Sequence, residues 1–361
     1  MPEGGIPSIV PKRPFFKRRS TLIIGLAILV LAAGTAGYFV FQSNDTNSNG
    51  NARRTNTNGE TLVRRAIDGV LDAPENEELP TVGVMIENLA TIRPQAGLEA
   101  ANLVYEALVE GGITRFLAVF TMTEPIESIG PVRSARPYYL DWVSEYGALY
   151  AHAGGSPQAM SDIGSKGIFN LDQFYNPQYY VREKLPRAIE HNLFTSSELL
   201  TFALRDKEAK ESAFSPWEFK DDAQEVDRPG VVGPITINFS SESYQVVYRY
   251  DSTTNTYARF QGTTPHTDMV SGEQISPNNV LVQYVESGLA DAQRLTMETV
   301  GSGSAILFRD GQTIEGSWSK SSTGDRTEFI DASGQPMVFN AGQTWIEVVP
   351  TDREVIYDPA T

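Results

Sequence analysis

The sequence predicts an α/β N-terminal domain joined to a mainly antiparallel β C-terminal domain, preceded by one transmembrane helix and a disordered linker. Three observations carry this reading. An uncharged apolar run of 21 residues stands near the N-terminus; short apolar runs then alternate with helical patterns up to about residue 219; beyond residue 234 only short β-type runs follow. Strand–helix alternation marks a layered α/β domain, and many short strands with tight turns mark an antiparallel sheet. The chain divides on these grounds into a basic tail (1–20), a transmembrane signal anchor (21–42), a flexible linker (43–78), an α/β domain (79–230), a β-rich domain (231–352) and a tail (353–361).

From Thr21 to Phe41 the chain reads TLIIGLAILVLAAGTAGYFVF. As a helix this run spans about 31 Å, close to the hydrocarbon thickness of a bilayer. A core helix would keep one polar face, and this run has none. Lys17, Arg18 and Arg19 precede it, and Gln42, Ser43 and Asn44 follow. The positive-inside rule therefore places the N-terminus in the cytoplasm and all later residues outside. A cleaved signal peptide, with Gly34 and Ala36 near the cut, is the alternative. The apolar run continues past those residues, which suits an anchor better, and both readings export the remainder.

Charge is unevenly spread. The first 20 residues hold five of the 29 basic groups and one of the 45 acids, so the remainder carries 24 and 44, a net of −20. A body that acidic repels polyphosphate backbones, which excludes nucleic acid as the expected partner. Screening confines the repulsion to about 8 Å, so a local arginine cluster can still hold a small anion. Cysteine is absent. Disulfides, thiolate metal sites, cysteine nucleophiles and a lipidated cysteine are excluded with it.

Residues 43–60 are mostly Asn, Thr, Ser and Gly without a large apolar side chain, and so read as a disordered tether. In the α/β part, Thr81–Glu87, Leu103–Val109, Phe116–Met122 and Ala148–Ala153 read as buried strands, and Ala135–Tyr146, Pro157–Ile163 and Ser197–Lys207 as helices. ITINFS, YQVVYRY, TYARFQG, VLVQYVE, RLTMETV, AILFRDG, TIEGSWS and WIEVVP supply the strands of the second part. Asp310-Gly311 marks a tight hairpin between two of them. The polar stretch Lys220–Pro229 is the expected boundary.

The runs RPQAGLEAANLVYEALVEGGITRFLAVF, IGPVRSARPYY, YAHAGGSPQA and HNLFTS follow one another in the order seen in the YerB-like proteins, whose module is called domain of unknown function 3048. YARFQGTTPHTD, GEQISPNNVLVQYV, GSGSAILFRDGQTIEGSWSK and GQTWIEVVP extend the resemblance through the second half, so that it covers roughly residues 79–350. It implies an extracytoplasmic, envelope-associated bacterial protein, commonly a lipoprotein. This chain differs in using an apolar span where many relatives carry a lipidated cysteine. No activity comes with the resemblance.

The residues themselves nominate one anion site. Arg133 and Arg136 flank Ser134 just after Gly130-Pro131, where a helix is expected to begin; Arg115 follows the Gly111-Gly112 turn, and Arg93 lies in a further turn. Guanidinium forks beside the free N–H groups of a helix start suit phosphate or carboxylate. Pairing of these arginines with Glu106, Glu110, Glu124 or Asp141 is the weightier alternative on so acidic a chain. Glu106 and Asn192 complete the candidate ligand-binding set.

For catalysis the candidates are His152, at a strand end before two glycines, His191 beside Asn192, and Ser156. Histidine titrates near neutrality, although most are packed rather than catalytic. Pro157 and the lack of a G-x-S-x-G elbow favour Ser156 as a helix cap over a nucleophile. The three histidines, His152, His191 and His266, lack metal-ligand spacing, so neither metal nor cofactor is expected. Tyr257, Phe260, Trp318 and Trp345 read as core or sheet-face residues.

Taken together, these features predict a membrane-anchored binding or scaffold module whose partner is a cell-wall polymer, an anionic envelope ligand or an envelope protein. The alternatives are an enzyme acting on a phosphate-bearing envelope substrate through an Arg/His site, and a purely structural spacer.

Overall fold

A computed structural model describes residues 54–55 and 59–358. The expected cytoplasmic tail, the anchor at 21–42 and the first part of the linker lie outside the described residues. The strands named here are β1 (Thr81–Glu87), β2 (Leu103–Leu108), β3 (Thr114–Thr121), β4 (Leu149–His152), β5 (Asn170–Asp172), β6 (Ile235–Asn238), β7 (Gln245–Asp251) and β8 (Thr256–Gln261). They continue with β9 (Thr264–Pro265), β10 (Asn279–Val285), β11 (Gly301–Arg309), β12 (Gln312–Lys320), β13 (Glu328–Asp331), β14 (Thr344–Pro350) and β15 (Val355–Ile356). The helices are α1 (Pro137–Ser144), α2 (Pro157–Ser165) and α3 (Ser197–Asp206).

A mixed sheet of ten strands, in the order β13-β12-β11-β10-β14-β2-β3-β1-β4-β5, runs through both halves of the chain. Near its centre β14 lies parallel to β10 on one side and to β2 on the other. The expected boundary at 220–229 is therefore no break in the sheet. A second, wholly antiparallel sheet has the order β9-β8-β7-β6-β15.

Alternation along β2 explains why its run reads as apolar throughout. Tyr105 points to one face, where it stacks on Trp142 of α1 at 5.3 Å. Glu106 points to the other, toward Arg259 of β8 in the second sheet. Covered by helix on one face and sheet on the other, central strands need no polar side. Close packing of α1 uses Gly83 of β1, where a Cβ would come within 2.7 Å of Val143.

Most expected elements stand where the pattern put them. Asp310 and Gly311 join β11 to β12 with φ of 51° and 69°, as a type I′ hairpin requires. Ser156 caps α2, its side chain accepting from the Ala159 N–H. Three expectations need correction. The expected linker 43–78 contains a small sheet of Arg54–Thr55, Thr61–Arg64 and Leu71–Asp72, because Val63 and Ile67 are buried and Asp68 accepts from Arg65 and Asn102. The tail beyond 353 supplies β15. The helix expected after Gly130-Pro131 begins only at Pro137, since the backbone before it is used elsewhere. Glu87 N–H donates to the Pro131 carbonyl, Arg133 N–H to Met85, and Ala135 N–H to Gly154. Arg136, preceding a proline, is held extended.

Candidate functional site

The extended segment 131–136 crosses the ends of β1 and β4 and presents two arginines beside the start of β3. Arg133 lies 3.2 Å from a Glu87 oxygen and donates to the Glu190 carbonyl at 3.1 Å. His191 Nδ1 meets the other Glu87 oxygen at 2.7 Å. Arg136 grips Glu110 through both Nε and Nη2, at 2.6 and 2.7 Å. Burial favours the neutral form of Glu110, but Arg136, together with the nearby charge of Arg115, pulls its pKa below the ordinary value.

Arg115 differs from its neighbours. It stands on β3 in register with Glu87, is only 7% exposed, and its side chain makes one hydrogen bond among the described residues, from Nη1 to the Ser134 carbonyl at 2.6 Å. It makes no ion pair with a carboxylate among the described residues. Burial, then Arg136 and Arg133, push its pKa down. Three guanidiniums thus face two carboxylates, and the uncompensated charge rests on the buried one. An isolated buried cation is costly unless an anion completes it.

The structure brings Arg115, Arg133, Arg136 and His191 together and leaves the other nominated residues apart. His152 is fully buried, with Nδ1–H donating to the Gly154 carbonyl and Nε2 against the Asn170 amide, each at 2.8 Å. Neither nitrogen is left for a proton relay. The Asn192 side chain accepts from Arg187 and donates to the Leu185 and Arg187 carbonyls, holding the loop that carries His191. Arg93 donates to Asn88 and to the Ser243 carbonyl and lies over the Tyr244 ring.

Glu106 belongs to the interior. Strand β2 ends at Leu108, so Glu106 and Glu110 do not share a strand face. The fully buried Glu106 pairs with Arg259, which also donates to Tyr248 and lies 4.2 Å over the Trp345 ring. Glu347, in register with Glu106 on β14, accepts from Tyr248 at 2.5 Å. Burial and then the neighbouring Glu106 raise its pKa well above the usual carboxylate range. His266 Nδ1 faces an Arg259 N–H and must accept, leaving Nε2–H to donate to Gln95 at 3.0 Å. Gln95 in turn donates to the Glu87 carbonyl, joining this interior to the arginine cluster.

Sequence reasoning passed over Glu87, Arg259 and Glu347. For Arg259 and Glu347 the available signal was a charged residue inside an otherwise β-type run, as in TYARFQG and WIEVVP, which marks a buried partner; Glu87, at the end of TVGVMIE, carries no such signal. Of the four aromatics nominated in the second half, Tyr257, Trp318 and Trp345 are buried, and Phe260 is partly covered by Arg249.

Comparison with known proteins finds relatives of the whole described module. The N-terminal domain of DUF3048, described as a protein of unknown function, matches residues 69–210, and the DUF3048 C-terminal domain matches residues 235–346. A curated relative, the candidate lipoprotein YerB of Bacillus subtilis (strain 168), is 28% identical over 291 residues, which are 80% of this chain and 86% of that protein. The crystal structure of YerB from Bacillus subtilis matches with a TM-score of 0.70 at 27% identity, covering 81% of this chain and 99% of the other.

Proposed function

This chain belongs to the DUF3048 family, and from that premise we propose that it is an extracytoplasmic, envelope-associated module that binds a phosphate- or carboxylate-bearing ligand at Arg115, Arg133 and Arg136. One observation carries the ligand: Arg115 is buried beside two further arginines with a single backbone carbonyl as partner. The envelope setting is supported by the lipoprotein name of the Bacillus relative and by the apolar run at 21–42, which serves here as the membrane attachment.

Calorimetric titration of the full-length chain with inorganic pyrophosphate at low ionic strength tests the reading. Charge-assisted hydrogen bonds contribute about 1.5–3 kcal/mol each, so Arg115→Met should weaken binding tenfold or more. Its melting temperature should hold or rise, because an unpaired buried charge has gone. Equal affinity in the variant, or no binding by the parent chain, contradicts the proposal.

The Glu87–His191 contact favours a second reading, an enzyme acting on a phosphate-bearing substrate. A carboxylate that fixes Nδ1–H leaves Nε2 as a base beside the arginines. The expected result is slow phosphate release from pyrophosphate that His191→Gln abolishes while binding persists. Binding without turnover in the parent chain removes this reading and leaves the first.

A further inference from the structure

At the far side of α1, Glu145 meets a second buried charge cluster. Its carboxylate pairs with Lys320 at 2.9 Å and with Arg326 Nη1 at 2.8 Å, so two cations share one anion. The Arg326 side chain is 7% exposed. Its Cζ lies 3.8 Å from the centre of the Trp217 ring and 4.5 Å from that of Tyr146. Nη1 is satisfied by Glu145 and by the Tyr146 hydroxyl. Nε and Nη2 are buried and have no partner. Those two nitrogens form one edge of the guanidinium, the edge that takes a carboxylate side-on through two parallel hydrogen bonds.

Arg326 lines a groove of about 610 Å³ together with Trp217, Glu218, Ser321, Asp325 and Glu328. That volume lies within the roughly 300–1,000 Å³ of small-molecule sites. Trp217 offers no stacking face, because Arg326 covers one side of its ring and Phe339 the other, at 4.7 Å. The three carboxylates at the groove, Glu218, Asp325 and Glu328, form no ion pair among the described residues. An unfilled cationic edge inside and unpaired acids at the exposed rim select opposite charges on one ligand.

We propose that this groove binds a zwitterion, an amino acid or the free end of a short peptide, with its carboxylate on the Nε–Nη2 edge of Arg326 and its ammonium among Glu218, Asp325 and Glu328. The site is separate from the arginine cluster at the strand ends and does not depend on it. Both orphan nitrogens are closed to water, so entry requires the exposed turn 321–325, which forms one wall, to give way.

The test is a titration of the full-length chain with alanyl-alanine, its C-terminal amide and its N-acetyl derivative, read by calorimetry and by the Trp217 indole resonance. Alanyl-alanine should bind and shift that resonance, and either blocked form should bind at least tenfold more weakly. Ser321→Trp, at an exposed position, should close the groove and remove binding without touching Arg326. Arg326→Lys, which keeps the charge and loses the edge, should weaken the free peptide and leave the amide unchanged. No binding of the free peptide, equal binding of the amide, or unaltered binding in Ser321→Trp would overturn the assignment.

Discussion

Exchanging Glu106 for Gln is expected to lower the unfolding free energy by roughly 3–5 kcal/mol, measured by denaturant titration at pH 7. The reason lies in what the change strands. Arg259 is fully buried between the two sheets, and Glu106 is the carboxylate its Nη2 meets directly. Glu347 stands 3.8 Å from Arg259 Nε, but its own burial and the Glu106 charge raise its pKa and disfavour its ionised form. Gln at 106 keeps the shape, and with it an acceptor for Thr114, but removes the carboxylate charge that meets the guanidinium directly.

The partner residue should behave in the opposite way. A carboxyl whose folded-state pKa is raised contributes stability that is fully present below its unfolded value of about 4.3 and is lost as pH rises toward the folded value. Glu347→Gln removes that loss and retains an acceptor for Tyr248. Measured from pH 4 to pH 8, the variant should gain stability relative to the parent chain as pH rises toward the folded-state value. His266 gives the other slope. Burial, then Arg259 and Arg93, depress its pKa, so its contribution is present above about pH 6.5 and fades as pH falls below that. A flat difference between Glu347→Gln and the parent across this range would show that Glu347 is ionised in the folded chain.

Glu145→Gln should cost a similar amount, roughly 3–5 kcal/mol, for a distinct reason. Two carboxylate oxygens there accept four donors: Lys320 and the Thr327 hydroxyl on one, Arg326 and the Thr327 N–H on the other. Lys320 is fully buried, and burial already lowers its pKa against the pull of Glu145. Without the carboxylate two cations face each other across the end of α1 and the β12–β13 hairpin. The same denaturant titration checks this, and a loss under 1 kcal/mol would mean that water reaches the cluster.

The contrast between these buried groups and the sequence pattern shows what was legible. Thr81–Glu87 and Leu103–Leu108 are short apolar runs bounded by turn residues, so their local composition suffices to mark them as strands. Ser156-Pro157 and Asp310-Gly311 announce a cap and a hairpin through chemistry confined to a few residues. The placement of β14 between β10 and β2 has no such local signature, because parallel neighbours far apart in the chain are chosen by packing on both faces. For the same reason the apolar pattern suggests two separate domains, whereas one sheet passes through both.

At the site, the arginines were conspicuous by type and spacing, and their convergence with His191 was not. Glu87 makes that convergence, and as the last residue of an apolar strand it looks like an ordinary exposed strand end. Pairing with carboxylates was the weightier expectation for all the arginines. Of the partners named it describes only Glu110, with Arg136; Arg133 pairs instead with Glu87, and Arg93 and Arg115 form no ion pair among the described residues. Which cation of a cluster lacks a partner depends on side-chain geometry that spacing does not encode.

The anion seat can be seen directly by growing crystals of the protein in tungstate, a heavy anion of the charge class proposed here, and recording anomalous density. A peak within hydrogen-bonding distance of the Arg115 guanidinium, shared with Arg133 or Arg136, is the predicted result. Crystals in which tungstate binds elsewhere while Arg115 contacts only protein and water would contradict it.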